Sequence, residues 1–179
     1  MFWKKKNKSK TTDYVCPECG EPHSDWLALT FNSPANYNFL SELEKSQLGK
    51  LDSDFCKIHH KDQIDRFIRV TLTQKVNDVC ENLDYGLWVS LSEKNYSNYK
   101  ENFDNENHET RYFGWLCSNI PEYGDTISIP CDVITKLGND RPEIFPHRDF
   151  DHLFVRDYYD GITKLEAEKR INEMIKNVE

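Results

Sequence analysis

The sequence predicts an α+β fold, a mostly antiparallel β-sheet with packed helices. Apolar residues alternate over residues 64–76 and 85–92, and only a short connection separates these two stretches, which favours hairpin pairing. Residues 164–178 instead repeat apolar side chains at helical spacing behind a capping-box pattern, Thr163 and Glu166. The 179 residues include 10 Phe, 9 Tyr and 4 Trp, as expected of a packed globular body. We therefore expect one domain over residues 14–179, ending in a C-terminal helix.

The same two periodicities predict the other strands and helices. Residues 26–31 form a short apolar strand candidate, and an incomplete apolar stripe predicts a helix over residues 37–50. Ser92 is a candidate N-cap for a helix that runs toward residue 103. Further strands are predicted at residues 111–119 and 126–134.

Charge is distributed unevenly along the chain. Five of the 23 basic residues lie within the first ten positions, which leaves 18 against 31 acidic residues, a net charge of −13 over residues 11–179. We interpret residues 1–13 as a basic flexible tail. The acidic body repels phosphate backbones and favours a basic protein partner, so nucleic-acid binding through the tail is the least favoured function. The sequence also lacks an apolar stretch typical of a signal peptide or membrane span, so we expect a cytoplasmic protein.

A Cys-rich segment near the N-terminus predicts a metal site. Cys16 and Cys19 are separated by two residues, with His23 four positions further on, a spacing typical of half a tetrahedral zinc site. Cys56 is the best candidate for a third thiolate. The fourth ligand is either His23 or His59, and both choices give a closed Cys₃His site, which is structural because no position is left for water. An unmetallated turn and a redox pair are the alternatives to this zinc-ribbon-like loop.

Two other groups of residues suggest chemistry or binding. His147, Asp149, Asp151 and His152 lie within six residues and suggest a metal-dependent, hydrolase-like enzyme. The competing interpretation is that Asp149 or Asp151 caps a short helix over residues 151–160. A set of aromatic residues could line a ligand-stacking face, although alternating aromatics on strands more often form core: Tyr85, Trp88, Tyr112, Phe113 and Trp115.

Several segments together resemble an uncharacterised bacterial family known as domain of unknown function 2199. The resemblance is carried by YVCPECGEPH (14–23), LDSDFCKIH (51–59), RFIRVTLTQKV (66–76), YGLWVSLSE (85–93), FGWLCSNIPEY (113–123), RPEI (141–144), and DHLF with GIT (151–154 and 161–163). It implies a small bacterial protein in which Cys16, Cys19, His23 and Cys56 match the family pattern better than His59 does. No catalytic residue can be carried over from this family.

These observations favour binding over catalysis. We expect a cytoplasmic, non-enzymatic interaction protein with a structural zinc ion. Its acidic body suits an immunity-type inhibitor that neutralises a basic toxin. The metal-dependent enzyme using the segment from His147 to His152 is the alternative function.

Overall fold

The computed structural model describes residues 13–15, 20, 22–24 and 26–178, with side chains at residue 20 and from residue 26 to residue 176. Within these residues the chain has the predicted α+β fold. The strands are β1 (Asp13–Val15), β2 (Pro22–Ser24), β3 (Leu29–Thr30), β4 (Gly49–Leu51), β5 (Phe55–His59), β6 (Ile64–Gln74), β7 (Leu83–Leu91), β8 (Arg111–Leu116), β9 (Pro130–Ile134) and β10 (Glu143–Pro146). The helices are α1 (Ala35–Asn38), α2 (Glu42–Leu48), α3 (Glu93–Glu101), α4 (Leu153–Asp160) and α5 (Lys164–Val178), with a 3₁₀ turn at Pro121–Tyr123.

Five of the strands close into a barrel. Strands β6 to β10 follow one another as antiparallel neighbours, and β10 also pairs in parallel with β6 through Glu143 and Thr71. At the closure, the amide of Thr71 donates to the carbonyl of Pro142 at 2.8 Å. The sheet continues past the barrel, because β5 and β4 extend from β6 and β3 pairs with β7. Barrel closure removes most of the unpaired edge that an open sheet would leave.

The barrel interior forms the main core. Alternate residues of β6 point inward and are fully buried, namely Ile68, Val70 and Leu72, as the two-residue side-chain period of a strand requires. Helices α3, α4 and α5 all contribute side chains to this cluster. A smaller cluster lies on the outer face of β5, β6 and β7 beneath α1 and α2, and consists of Cys56, Ile58, Phe67, Trp88 and Cys117.

The predicted helix over residues 37–50 is in fact two helices. Ser41 caps α2 by accepting the amide of Glu44, and the carboxylate of Glu44 accepts the amide of Ser41 at 2.8 Å. A residue that caps a helix has an extended backbone, so the preceding helix ends before Ser41. Residues 49–51 then pair with β5 as a strand.

The predicted strand over residues 126–134 begins only at Pro130. Asp125 accepts the amide of Ile127 at 3.0 Å, and Ser128 has a positive φ of 67°. Both features belong to a turn. The C-terminal helix is confirmed from residue 164, and Thr163 caps it by accepting the amide of Glu166 at 3.2 Å.

The two ends of the predicted N-terminal loop form a hairpin. β1 and β2 pair antiparallel, and Tyr14 lies opposite His23. Cys16 and Cys19 lie outside the described residues, so the zinc-ribbon-like loop stays a prediction, as does most of the proposed basic tail. In the part of the chain that the structure describes, no helix has the length and apolar character needed to cross a membrane.

Candidate functional site: an exposed aromatic face on β8

Strand β8 presents large aromatic side chains to solvent. Tyr112, Gly114 and Leu116 point into the barrel, whereas Phe113 and Trp115 point outward and are each 44% exposed. Their rings meet edge to face, with centroids 4.9 Å apart. The other aromatic residues of the predicted stacking face, Tyr85, Trp88 and Tyr112, are buried. Two of the five candidates are therefore available to a partner.

A groove of about 740 Å³ runs beside this pair. Ser90 of β7 lies directly opposite Trp115, and Phe67 of β6 lies opposite Ser90. Asp65, which accepts a bond from His60 at 3.0 Å, contributes a carboxylate to the groove wall. The groove thus combines an aromatic rim with a polar floor, a composition that suits a protein side chain.

A carboxylate lies on the other side of the aromatic pair. Asp132 of β9 is paired in register with Phe113 and forms an ion pair with Arg111. The hydrogen bond from Arg111 holds the pKa of Asp132 below its usual value against the opposing effect of burial, and the charges of Arg111 and His147 act in the same direction. Asp132 is thus ionised at neutral pH. The face of an exposed indole ring attracts cations.

Sequence reasoning missed Asp132 as a site residue. It lies in an apolar strand with no motif around it, and its neighbours Arg111 and Phe113 come from another strand. Only the strand register reveals the grouping. We call the set of Phe113, Trp115 and Asp132 the β8 face.

The segment from His147 to His152 does not converge on one point. Nε2 of His147 lies 3.5 Å from Oδ1 of Asp132, and its ring packs on Phe113 with centroids 5.6 Å apart. His152 is instead the N-cap of α4, and its Nδ1 accepts the amide of Phe154 at 3.1 Å. Asp149 and Asp151 are exposed. Helix α4 is capped by a histidine and not by either predicted aspartate.

No three His, Cys, Asp or Glu side chains are grouped to hold a metal ion among the residues described here. Of the predicted zinc ligands, Cys56 is the one whose side chain is described. It is fully buried beside Phe67 and Trp88, in apolar surroundings. The side chains of its proposed partners, Cys16, Cys19 and His23, lie outside the described residues.

The alternative fourth ligand, His59, points away from Cys56. Within β5, Cys56 and Ile58 are buried on one face, while Phe55, Lys57 and His59 occupy the other. Residues three apart in a regular strand lie on opposite faces. The two side chains therefore cannot bind one metal ion without a break in β5, which leaves His23 as the better candidate.

No match was found among curated proteins, and none among solved structures. A family model described as an uncharacterized protein conserved in bacteria, domain of unknown function 2199, matches residues 15–162. The chain belongs to this bacterial family.

Proposed function

We propose that the protein is a cytoplasmic, non-enzymatic interaction protein that binds a basic protein partner through the β8 face. The observation that carries this proposal is the exposure of Phe113 and Trp115 side by side on a regular strand. Exposed tryptophan is strongly enriched among residues that dominate binding energy at protein interfaces. A lysine or arginine of the partner would lie over the Trp115 ring.

The net charge of the chain supports a basic partner. At −8 for all 179 residues, the protein attracts a cationic protein over long range and speeds their encounter. We propose an immunity-type inhibitor of a basic toxin as the specific form of this function. The hydrolase-like alternative has no comparable support, because His147 and His152 each make contacts away from the other.

A structural zinc ion held by Cys16, Cys19, His23 and Cys56 is part of the proposal. The support is the two-residue spacing of the first pair of thiols and the hairpin of β1 and β2, which brackets that loop. Such an ion would fix the loop against the smaller core cluster around Cys56. Its role would be to stabilise the fold and not to act on a substrate.

The test compares partner capture by three forms of the protein. Affinity-tagged wild type should retain from a host lysate a protein of high isoelectric point, identified by mass spectrometry and then purified. Trp115→Ser should weaken binding of that purified partner by roughly 10-fold or more, which is the loss of affinity expected when a tryptophan central to an interface is truncated. Phe39→Ser is the matched control, since Phe39 is 74% exposed and does not line the groove beside Trp115.

Three results would overturn the proposal. The first is that wild type retains no basic protein over a range of salt concentrations. The second is that Trp115→Ser and Phe39→Ser bind the partner equally well. The third is that a partner is retained whose isoelectric point is as low as that of the protein itself, about 5.3.

A further inference from the structure

A second groove, of about 700 Å³, lies across the outer face of β6 and β7. Its lining includes Arg69 and Thr71 from β6, Gly86 from β7 and Thr30 from β3. In the ladder, Gly86 pairs with both Thr71 and Thr30. One wall of the groove is therefore built from adjacent sheet positions, which fixes its shape more firmly than a loop would, and loop residues such as Asn105 and Asn139 line the rest.

The guanidinium of Arg69 is poorly satisfied by the protein. Its hydrogen bond to a described residue, from Nη1 to the carbonyl of Ser53, is long at 3.4 Å. Nε is buried and has no hydrogen-bond partner among the described residues. The group also lies above the Trp88 ring, 5.9 Å from the ring centroid. An arginine has five N–H donors in a planar fork, and most of those of Arg69 are left for another acceptor.

Gly86 keeps the space in front of this guanidinium open. A Cβ at position 86 would lie 3.1 Å from Cγ2 of Thr30 and 3.7 Å from Nη2 of Arg69. Any other residue here would fill the gap between the threonine and the arginine. The lack of a side chain at this position thus leaves room for a small group beside Nη2.

Among the residues that the structure describes, no carboxylate forms an ion pair with Arg69. Arg141 is paired with Asp54, whose Oδ1 accepts from Nε at 2.7 Å. Lys136 is paired with Glu143 at 2.6 Å. Burial and the charge of Arg141 lower the pKa of Arg69, and the charge of Asp54 opposes them only in part.

The acidic residues of the groove limit the charge of a ligand. Asp84 accepts a hydrogen bond from Thr73 at 2.8 Å. The paired residues Thr73 and Asp84 lie four positions along the ladder from Arg69, roughly 13 Å away. Asp140 is an exposed carboxylate on the rim. Because Asp54, Asp84 and Asp140 all line the groove, it favours a ligand group of single negative charge over a dianion.

We propose that this groove binds the carboxylate group of a small molecule, with Arg69 as its anchor. The two carboxylate oxygens accept from the guanidinium in a fork. Thr71 and Thr30 lie on either side of Gly86 in the ladder, and the methyl group of Thr30 faces position 86. This site is separate from the β8 face and does not depend on the partner proposed for it.

The test is an NMR titration of the labelled full-length protein with sodium acetate at constant ionic strength. The amides of Thr71 and Gly86 should shift saturably. Arg69→Gln should raise the dissociation constant by about tenfold or more, the effect expected for a lost charged hydrogen bond. Arg66→Gln is the matched control, because Arg66 lies on the same strand but bonds to Glu93 outside the groove.

A second variant and a second anion make the result decisive. Gly86→Ala retains Arg69 and narrows the groove, so it should also weaken acetate binding. The proposal is overturned if wild type shows no saturable shift, or if Arg66→Gln weakens acetate binding as much as Arg69→Gln. It is also overturned if inorganic phosphate binds more tightly than acetate, because the groove then selects a dianion.

Discussion

The thiol of Cys56 lies where its neutral form is favoured. Burial raises its pKa to about 12, and the negative charge of Asp52 adds to the effect. Zinc binds the thiolate, so a metal at this position has to displace the proton. Zinc binding should therefore depend on the complete set of ligands, since a single buried thiol in this environment has little affinity by itself.

Replacing Cys56 tests the proposed zinc site directly. Wild-type protein should contain about one zinc ion per chain, and Cys56→Ser should lose most of it, because a serine hydroxyl is a poor zinc ligand. Elemental analysis by mass spectrometry gives the content. Cys131→Ser is the matched control, since Cys131 is equally buried but lies inside the barrel. Wild type without zinc, or full zinc content in Cys56→Ser, would contradict the site.

At the scale of elements, a buried arginine adds polar contacts to the apolar packing of α5 against the rest of the molecule. The side chain of Arg170 is 2% exposed, and Nη1 donates to the hydroxyl of Tyr85 at 3.1 Å. Nε donates to Glu166 at 3.2 Å, and the guanidinium lies 4.5 Å from the Tyr123 ring centroid. Asp157 of α4 is 3.8 Å away. The guanidinium of Arg170 thus links α5 to β7 and α4.

Arg170→Met should destabilise the protein by about 2–4 kcal/mol, because it leaves Glu166 and the Tyr85 hydroxyl without their partner. Lys169→Met removes the same charge from an exposed neighbouring position and should change stability by less than about 0.5 kcal/mol. Urea unfolding followed by circular dichroism measures both variants. Equal stability of the two variants would show that the Arg170 contacts do not stabilise the fold.

Local patterns predicted the long elements but not the barrel. Strands β6 and β7 and helix α5 carry strong periodicity, and each was predicted close to its observed range. Barrel closure depends on one parallel pair, Glu143 with Thr71, between residues far apart in sequence. The strands β4 and β10 are short, at 3 and 4 residues. The alternation of apolar and polar residues that marks a strand needs a longer stretch to be recognised.

The β8 face was only partly predictable, for a related reason. In RYFGWL both faces of the strand carry large apolar residues. Alternation therefore could not distinguish the inward face of Tyr112 and Leu116 from the outward face of Phe113 and Trp115. The direction follows from pairing with β9, where buried Val133 lies opposite Tyr112.

For the whole molecule, two surfaces with different chemistry lie at different positions along β7. The β8 face lies against the end of β7 around Ser90, where β8 pairs, and the groove of Arg69 lies around Gly86, where β3 pairs. Strand β7 thus pairs with β3 near one end and with β8 near the other, and each surface lies beside one of these pairings. A variant in one surface should leave the other intact, so the two binding proposals can be tested independently.

The many interior tyrosines should make the whole fold sensitive to alkali. Burial raises the pKa of Tyr96, Tyr112 and Tyr158 to about 12 each, against about 10 in an unfolded chain. From about pH 10 to about pH 12 the unfolded state loses these protons while the folded state keeps them, so stability falls as pH rises. Ionisation of these residues, followed by phenolate absorbance, should therefore coincide with loss of the circular dichroism of the fold.

Tyr112→Phe removes one of the three groups and should make the fall in stability with pH less steep. Complete tyrosine ionisation with unchanged circular dichroism would contradict this account, because it would mean that the interior hydroxyls ionise within the folded barrel.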